Sequence, residues 1–376
     1  GKSVIGIEVP NAVTSLVTVR GVIESAAFQK LQTKCKLAVG LGKATGGEVV
    51  VADIAKMPHL LIAGATGSGK TACMNSIIGC LLMQNTPDEL RLILIDPKRV
   101  ELTTFSNIPH LLSPVVVDVE EAVKALRRVI VEMDNRYKKF AAVSVRNIEG
   151  YNKSARVPAP LPNLVVVIDE LADLMMTAPD VVELSLCRLA QLARATGIHL
   201  IVATQRPSVD VVTGLIKANF PTRISFAVTS QVDSRTILDM VGAEKLLGRG
   251  DMLYMPTDAA KPRRLQGTFS SDPEMEKIVN YWVCQQPAAA ASDDFATAFA
   301  AIDGDAPDEK DPVLAKARQL AKDGTRLSAS LLQRRLRIGY PRAARIMDVL
   351  REEGLVDGEV EEWEGDSGPE NEGESR

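Results

Sequence analysis

Eight consecutive residues carry the most specific chemistry in the chain. Positions 64–71 read Gly-Ala-Thr-Gly-Ser-Gly-Lys-Thr and meet the phosphate-loop pattern G-x-x-x-x-G-K-[ST] at every fixed position. Gly64, Gly67 and Gly69 let the backbone curl, so that N–H groups along Ala65, Thr66 and Ser68 point inward at an anion. A helix starting near Gly69 adds its positive end. Lys70 is expected to reach the β- and γ-phosphates of ATP, and the Thr71 hydroxyl to bind Mg²⁺. A second constellation, Asp169 and Glu170, closes an aliphatic run. Asp169 is expected to hold Mg²⁺, and Glu170 to orient and deprotonate the water that attacks the γ-phosphate. The blander alternative is an acid pair that only complements a helix dipole. Gln205 ends the next apolar run and is expected to sense the γ-phosphate. Arg194, on a helix predicted over 189–196, leaves two readings open. It forms an ion pair within its own chain, or in a ring it acts as an arginine finger on a neighbour's nucleotide.

These residues need a scaffold that brings strand ends to one edge. From 57 to about 268 apolar runs alternate with helical spacing, the signature of a doubly wound α/β sheet. Strands are predicted over 59–63, 91–96, 164–169, 198–204 and 223–228, with a closing strand or hairpin at 250–255. Helices are predicted over 72–84 and 119–137. Ahead of this domain (57–284), residues 1–56 read as a small α/β lead-in subdomain, with strands at 13–20 and 48–52 and a helix at 25–32. Residues 285–311 hold an alanine run and few large apolar residues, which predicts a flexible linker. Helices over 313–322, 328–337 and 341–353, with a small wing near 354–360, predict a winged helix-turn-helix over 312–363. Pro341 suits a first helical position.

Composition sets the class. Hydrophobic residues make up 46% of the 376 and mean hydropathy is near zero, as for a soluble globular protein. The five cysteines show no metal spacing, and the three histidines form no ligand cluster, so a core or loop role is expected for them. Residues 352–376 hold eleven acids against one base, which predicts an acidic disordered tail over 364–376. The remainder is net positive. Arg334, Arg335, Arg337, Arg342 and Arg345 crowd the final module, where a sequence-independent grip on DNA phosphates is expected. A DNA-binding regulator that uses ATP only as an assembly switch fits the same motifs.

Taken together, these motifs resemble the motor region of the FtsK/SpoIIIE DNA translocases. The likeness also rests on residues 5–11, 57–60, 95–98, 108–111, 172–175, 203–208, 233–238, 248–254 and 337–345. It implies a RecA-like P-loop NTPase with a largely parallel sheet, working as a homo-oligomeric, hexameric ring on double-stranded DNA in chromosome segregation. It implies a finger role for Arg194, nucleotide sensing by Arg235, and DNA contacts from Arg206, Ser208 and Lys217. The final module then resembles the family's γ domain, which reads oriented DNA sequences and can meet division-site or recombinase partners. The full-length parent is expected on the cytoplasmic side of the membrane, with this part of it soluble. The sequence departs from the family at Gln231, where lysine is frequent, and at Pro341, where Asn or Thr is frequent.

Overall fold

The computed structural model describes residues 15–57, 59–157, 159–257, 259–285, 294–302, 312–322, 327–336, 338–353 and 355–356. Packing divides the chain into two compact units, Gly1–Gly304 and Asp305–Arg376.

The first unit begins with α1 (Val19–Ile23) and α2 (Ala26–Gln32), each started by a hydroxyl cap. Thr18 accepts from the Gly21 N–H, and Ser25 from that of Phe28. The strand expected over 13–20 is corrected by this cap. Thr18 makes one bridge to Phe269 and then turns the chain into α1, while residues 13 and 14 lie outside the described residues. β1 (Ala38–Ala44) and β2 (Val49–Asp53) follow, then β3 (His59–Ala63), α3 (Lys70–Leu82) and β4 (Leu90–Ile95). Next come α4 (Val119–Ala142), α5 (Ile148–Asn152), β5 (Asn163–Ile168), α6 (Leu171–Thr177) and α7 (Pro179–Leu192). A short 3₁₀ turn, Ala193–Thr196, leads into β6 (Ile198–Thr204). The unit continues with α8 (Gly214–Asn219), β7 (Thr222–Phe226), α9 (Gln231–Leu238), β8 (Asp251–Met255) and β9 (Arg263–Gly267), and closes with α10 (Asp272–Cys284) and α11 (Asp294–Ala300).

The strands form one sheet in the order β2-β1-β9-β8-β7-β3-β6-β5-β4. The run β7-β3-β6-β5-β4 is parallel, and β8, β9, β1 and β2 extend it antiparallel. The lead-in residues therefore share the sheet of the following domain through β1 and β9, and the sequence boundary at 56 is not a break in packing. Side chains alternate between faces as a pleated strand requires. Leu60 and Ile62 enter the core with α3 and α10, whereas Leu61 enters the opposite core with α4, α6 and α7.

The segment expected as a flexible linker is ordered in its described part. Phe295 and Phe299, one helical turn apart on α11, pack on the α4 core, and Arg128 Nε donates to the Ile302 carbonyl at 3.2 Å. Two aromatic side chains supply what the alanine-rich composition concealed.

In the second unit α12 (Pro312–Lys322), α13 (Ala329–Leu336) and α14 (Tyr340–Glu352) match the three predicted helices. Leu314, Leu332, Ile346 and Leu350 form their shared core. Arg318 pairs with Glu353 at 2.9 Å. Pro341 takes the second helical position, after Tyr340. Leu355 and Val356 form a bend, and the rest of the expected wing and the acidic tail lie outside the described residues. Among the described residues no helix is long and apolar enough to cross a membrane.

Candidate nucleotide and nucleic-acid site

β3 leaves the sheet at Ala63, and the glycine-rich loop fills the space between it and α3. Gly64 N–H donates to the Thr204 carbonyl at 3.3 Å and Ala65 N–H to that of Ala227 at 2.9 Å, which ties the loop to the chain beyond two neighbouring strands. Gly67 and Gly69 adopt φ of 75° and 116°, backbone that other residues rarely reach. A Cβ on Gly69 would lie 2.6 Å from the Gly250 nitrogen. Gly250, itself at φ 93°, donates its N–H to the Ser68 carbonyl at 2.8 Å and accepts from the Gly267 N–H at 2.7 Å. The start of the β8–β9 hairpin thus braces the loop. Sequence reasoning missed this because Gly250 is 181 positions from Gly69.

The loop lysine and the acid pair converge. Lys70, buried, places Nζ 2.5 Å from Asp169 Oδ1 and 2.9 Å from the Asp169 carbonyl. Burial raises the Asp169 carboxyl above its ordinary value against the pull of Lys70. The other oxygen, Oδ2, is buried without a hydrogen-bond partner. No group of three or more His, Cys, Asp or Glu that could hold a metal occurs among the described residues. A cation here would have Asp169 and Thr71, the second residue of α3, as its protein donors, with water and phosphate completing the shell. That hard-oxygen, water-rich set fits Mg²⁺.

Glu170 is fully buried and fully engaged. Its Oε1 accepts from Thr204 Oγ1 at 2.6 Å and the Gln205 N–H at 3.1 Å, and its Oε2 pairs with Lys98 Nζ at 2.8 Å. Burial works to raise this carboxyl, but Lys98 and the Thr204 hydroxyl outweigh it and hold it below the usual carboxylate range. Lys98 stands on the loop after β4, which Asp96 stiffens by accepting three successive N–H groups from Val100, Glu101 and Leu102 at 2.9–3.0 Å. Gln205 Oε1 accepts from Thr66 Oγ1 at 2.9 Å, joining the phosphate loop to the end of β6.

Comparison with known proteins decides what carries this site. A profile described as the FtsK/SpoIIIE family matches residues 18–209, and one described as the Ftsk gamma domain matches residues 308–362. The chain belongs to the FtsK/SpoIIIE family. It is 52% identical over 368 residues to the DNA translocase FtsK of Bacillus anthracis, covering 95% of this chain and 45% of that protein. Against the DNA translocase SpoIIIE of Bacillus subtilis it is 52% identical over 365 residues, covering 95% and 46%. The chain thus spans about half the length of the curated relatives it matches. Among solved structures, the pCW3 conjugation coupling protein TcpA, a monomer form with ATPγS, is similar at a TM-score of 0.58 and 30% identity, covering 66% of this chain and 71% of that one. The cytoplasmic domain of the Thermomonospora curvata type VII secretion ATPase EccC shares the fold at a TM-score of 0.60 and 23% identity, over 68% of this chain and 32% of that one. The architecture is that of the RecA-like P-loop ATPases, with a winged-helix γ module after it.

The remaining residues expected from the FtsK/SpoIIIE likeness are placed as follows. Arg194 is exposed on the 3₁₀ turn before β6 and makes no salt bridge among the described residues. That turn is at the amino edge of the parallel strands, whereas Lys70 is at their carboxyl edge, about 20 Å away along a seven-residue strand. Arg235 is exposed on α9, which follows β7 at the carboxyl edge. Arg206 and Ser208 are exposed on the loop after β6. Lys217, expected to meet phosphate, is tied instead to Asp239 at 2.8 Å, which also takes Arg223 at 2.7 Å. In the γ module Arg334 and Arg335 are exposed on α13. Arg337 and the side chains of Arg342 and Arg345 lie outside the described residues.

Proposed function

We propose that this chain is an ATP-driven motor that moves double-stranded DNA as a homo-oligomeric ring of six, serving chromosome segregation at cell division on the cytoplasmic side of the membrane. The observation that carries this reading is the meeting of Lys70 with Asp169, next to the Lys98-paired Glu170, at one sheet edge, in a member of a DNA-translocase family. The loop N–H groups and Lys70 bind the triphosphate, displacing Lys70 from Asp169 toward phosphate. Thr71 and Asp169 would hold Mg²⁺, which would supply neutralisation of the charge on the phosphate oxygens. Glu170 takes a proton from the attacking water, and the Thr204 hydroxyl and Gln205 N–H fix its orientation. Gln205 passes the state of the phosphate site, through Thr66, to the loop bearing Arg206 and Ser208, which meets the DNA backbone. Arg235 senses nucleotide at the same edge, and Lys217 joins the DNA contact on release from Asp239. Arg194 completes the active site of the adjoining subunit. Purified protein should hydrolyse ATP faster when duplex DNA is added; a rate indifferent to duplex overturns the motor.

Two outcomes follow from the geometry. Lys98→Met removes the ammonium that offsets burial at Glu170, so the carboxyl titrates at a higher pH. The acid limb of the kcat–pH profile should therefore move to higher pH, with kcat near its normal plateau at alkaline pH. An unmoved limb would contradict Glu170 as the base. The second outcome concerns the γ module, whose Arg334, Arg335, Arg337, Arg342 and Arg345 are assigned to oriented DNA, and through which division-site or recombinase proteins are met. Its helices have their own core. Deleting residues 312–376 should preserve ATPase and triplex displacement, and abolish the dependence of displacement on DNA orientation.

A further inference from the structure

We propose that Arg136 and Tyr137, consecutive residues of α4, are positioning residues that cradle the turn bearing Arg194. This rests on the reading of Arg194 as a finger acting on the adjoining subunit. The Tyr137 hydroxyl donates to the Leu192 carbonyl at 2.6 Å, and Arg136 Nη1 donates to the Thr196 carbonyl at 2.9 Å. Those carbonyls lie two residues before and two residues after Arg194. Within the turn, Thr196 Oγ1 donates to the Ala193 carbonyl at 2.7 Å and the Gly197 N–H to that of Arg194 at 3.2 Å. Gly197 sits at φ 72°, and a Cβ there would lie 2.5 Å from Ile148 Cδ1. The backbone on both sides of Arg194 is held, while its side chain is exposed.

The chemistry of the cradle argues for aim rather than for stability. Arg136 is fully buried, paired with Glu132 at 2.7 Å, bonded also to the Pro162 carbonyl at 2.9 Å, and its Cζ lies 5.5 Å from the Phe295 ring centroid. Its Nη2 is buried without a hydrogen-bond partner. Apolar side chains of similar volume commonly replace a buried ion pair at no loss of stability. What such side chains cannot do is donate to the Thr196 carbonyl. A finger must meet a phosphate oxygen to within a fraction of an ångström, and small displacements of a catalytic group cost large factors in rate. Phe295 of α11 covers the cradle, so the helix that precedes the second unit in sequence touches the residue that aims the finger.

Two variants test this. Tyr137→Phe deletes only the hydroxyl, and the double variant Glu132→Leu, Arg136→Met replaces the ion pair with apolar volume. Each should keep the KM for ATP, with Tm near normal for the first and lowered by a few degrees for the second, whose Pro162 and Thr196 carbonyls lose their donor, while kcat falls about threefold for the first and about tenfold or more for the second. Mixing either variant with Lys70→Ala chains should raise the rate per chain with an intact loop above that of the variant alone, because the Lys70→Ala chains supply intact fingers to the variants' intact loops. Arg194→Ala mixed with Lys70→Ala is the reference. If the reference mixture recovers but the cradle variants keep normal kcat, raise KM, or fail to recover on mixing, the cradle is wrong. If the reference mixture itself does not recover, the finger assignment fails and the cradle falls with it.

Discussion

Glu170→Gln should bind ATP normally and barely turn it over, with kcat reduced about 10²- to 10⁴-fold. The amide keeps the volume of the carboxyl in a fully buried position and can still accept from the Thr204 hydroxyl and the Gln205 N–H. What disappears is the proton acceptor and the charge that Lys98 offsets. Nucleotide affinity depends on the loop and Lys70, which the change does not touch. Turnover and equilibrium binding of an ATP analogue, measured side by side, check this, and near-normal turnover would sink the assignment. Stability should change with a defined sign. The native Glu170 carboxyl titrates below its ordinary value, so its ionised form stabilises the folded chain above the unfolded pKa of about 4.3. That contribution is lost as pH falls through the native value. The stability gap between the unsubstituted chain and the Glu170→Gln variant should therefore be largest near neutrality and close in acid, as read by urea denaturation at pH values from about 7 down to below about 4.

Arg194→Ala should be nearly as damaging, about 10³-fold in kcat, with ATP affinity unchanged. The argument is one of distance. Arg194 and Lys70 stand at opposite edges of the parallel strands, so the arginine cannot serve its own chain's triphosphate. An exposed guanidinium without an ion pair among the described residues stabilises its own subunit little, so the variant's Tm should stay within a few degrees. Mixed with Lys70→Ala chains, the variant should regain activity that neither parent shows. A loss of ATP affinity in the variant, or no recovery on mixing, would return Arg194 to a local role.

Most of the first unit is legible in the sequence because its signals are contiguous. The glycine loop, the aliphatic runs of β3, β4, β5 and β6, and the acid pair after β5 lie within short windows, and the structure keeps them at the expected edge. What was hidden depends on partners far apart in the chain. β1 was missed because Gly40 and Gly42 interrupt its apolar pattern, although packing demands them: a Cβ on Gly42 would lie 2.0 Å from the Gln266 carbonyl oxygen. The segment of α11 reads as linker because its neighbours are alanine-rich, and its large anchors are two aromatics, Phe295 and Phe299. The Lys98–Glu170 pair joins residues 72 positions apart, and no periodicity announces it. The family resemblance implies a DNA contact for Lys217, and nothing near it in sequence points to Asp239, the carboxylate that holds it.

The contact between Gly250 and Ser68 bears on how force travels through such a machine. It joins main chain to main chain, with no side chain between to yield, and it links the hairpin of β8 and β9 to the nucleotide cradle. Through β9 and β1 the same sheet continues to β2, so main-chain hydrogen bonds run from the amino-terminal strands to the phosphate loop. A pull on β1 or β2 would therefore be felt at the loop that grips the nucleotide.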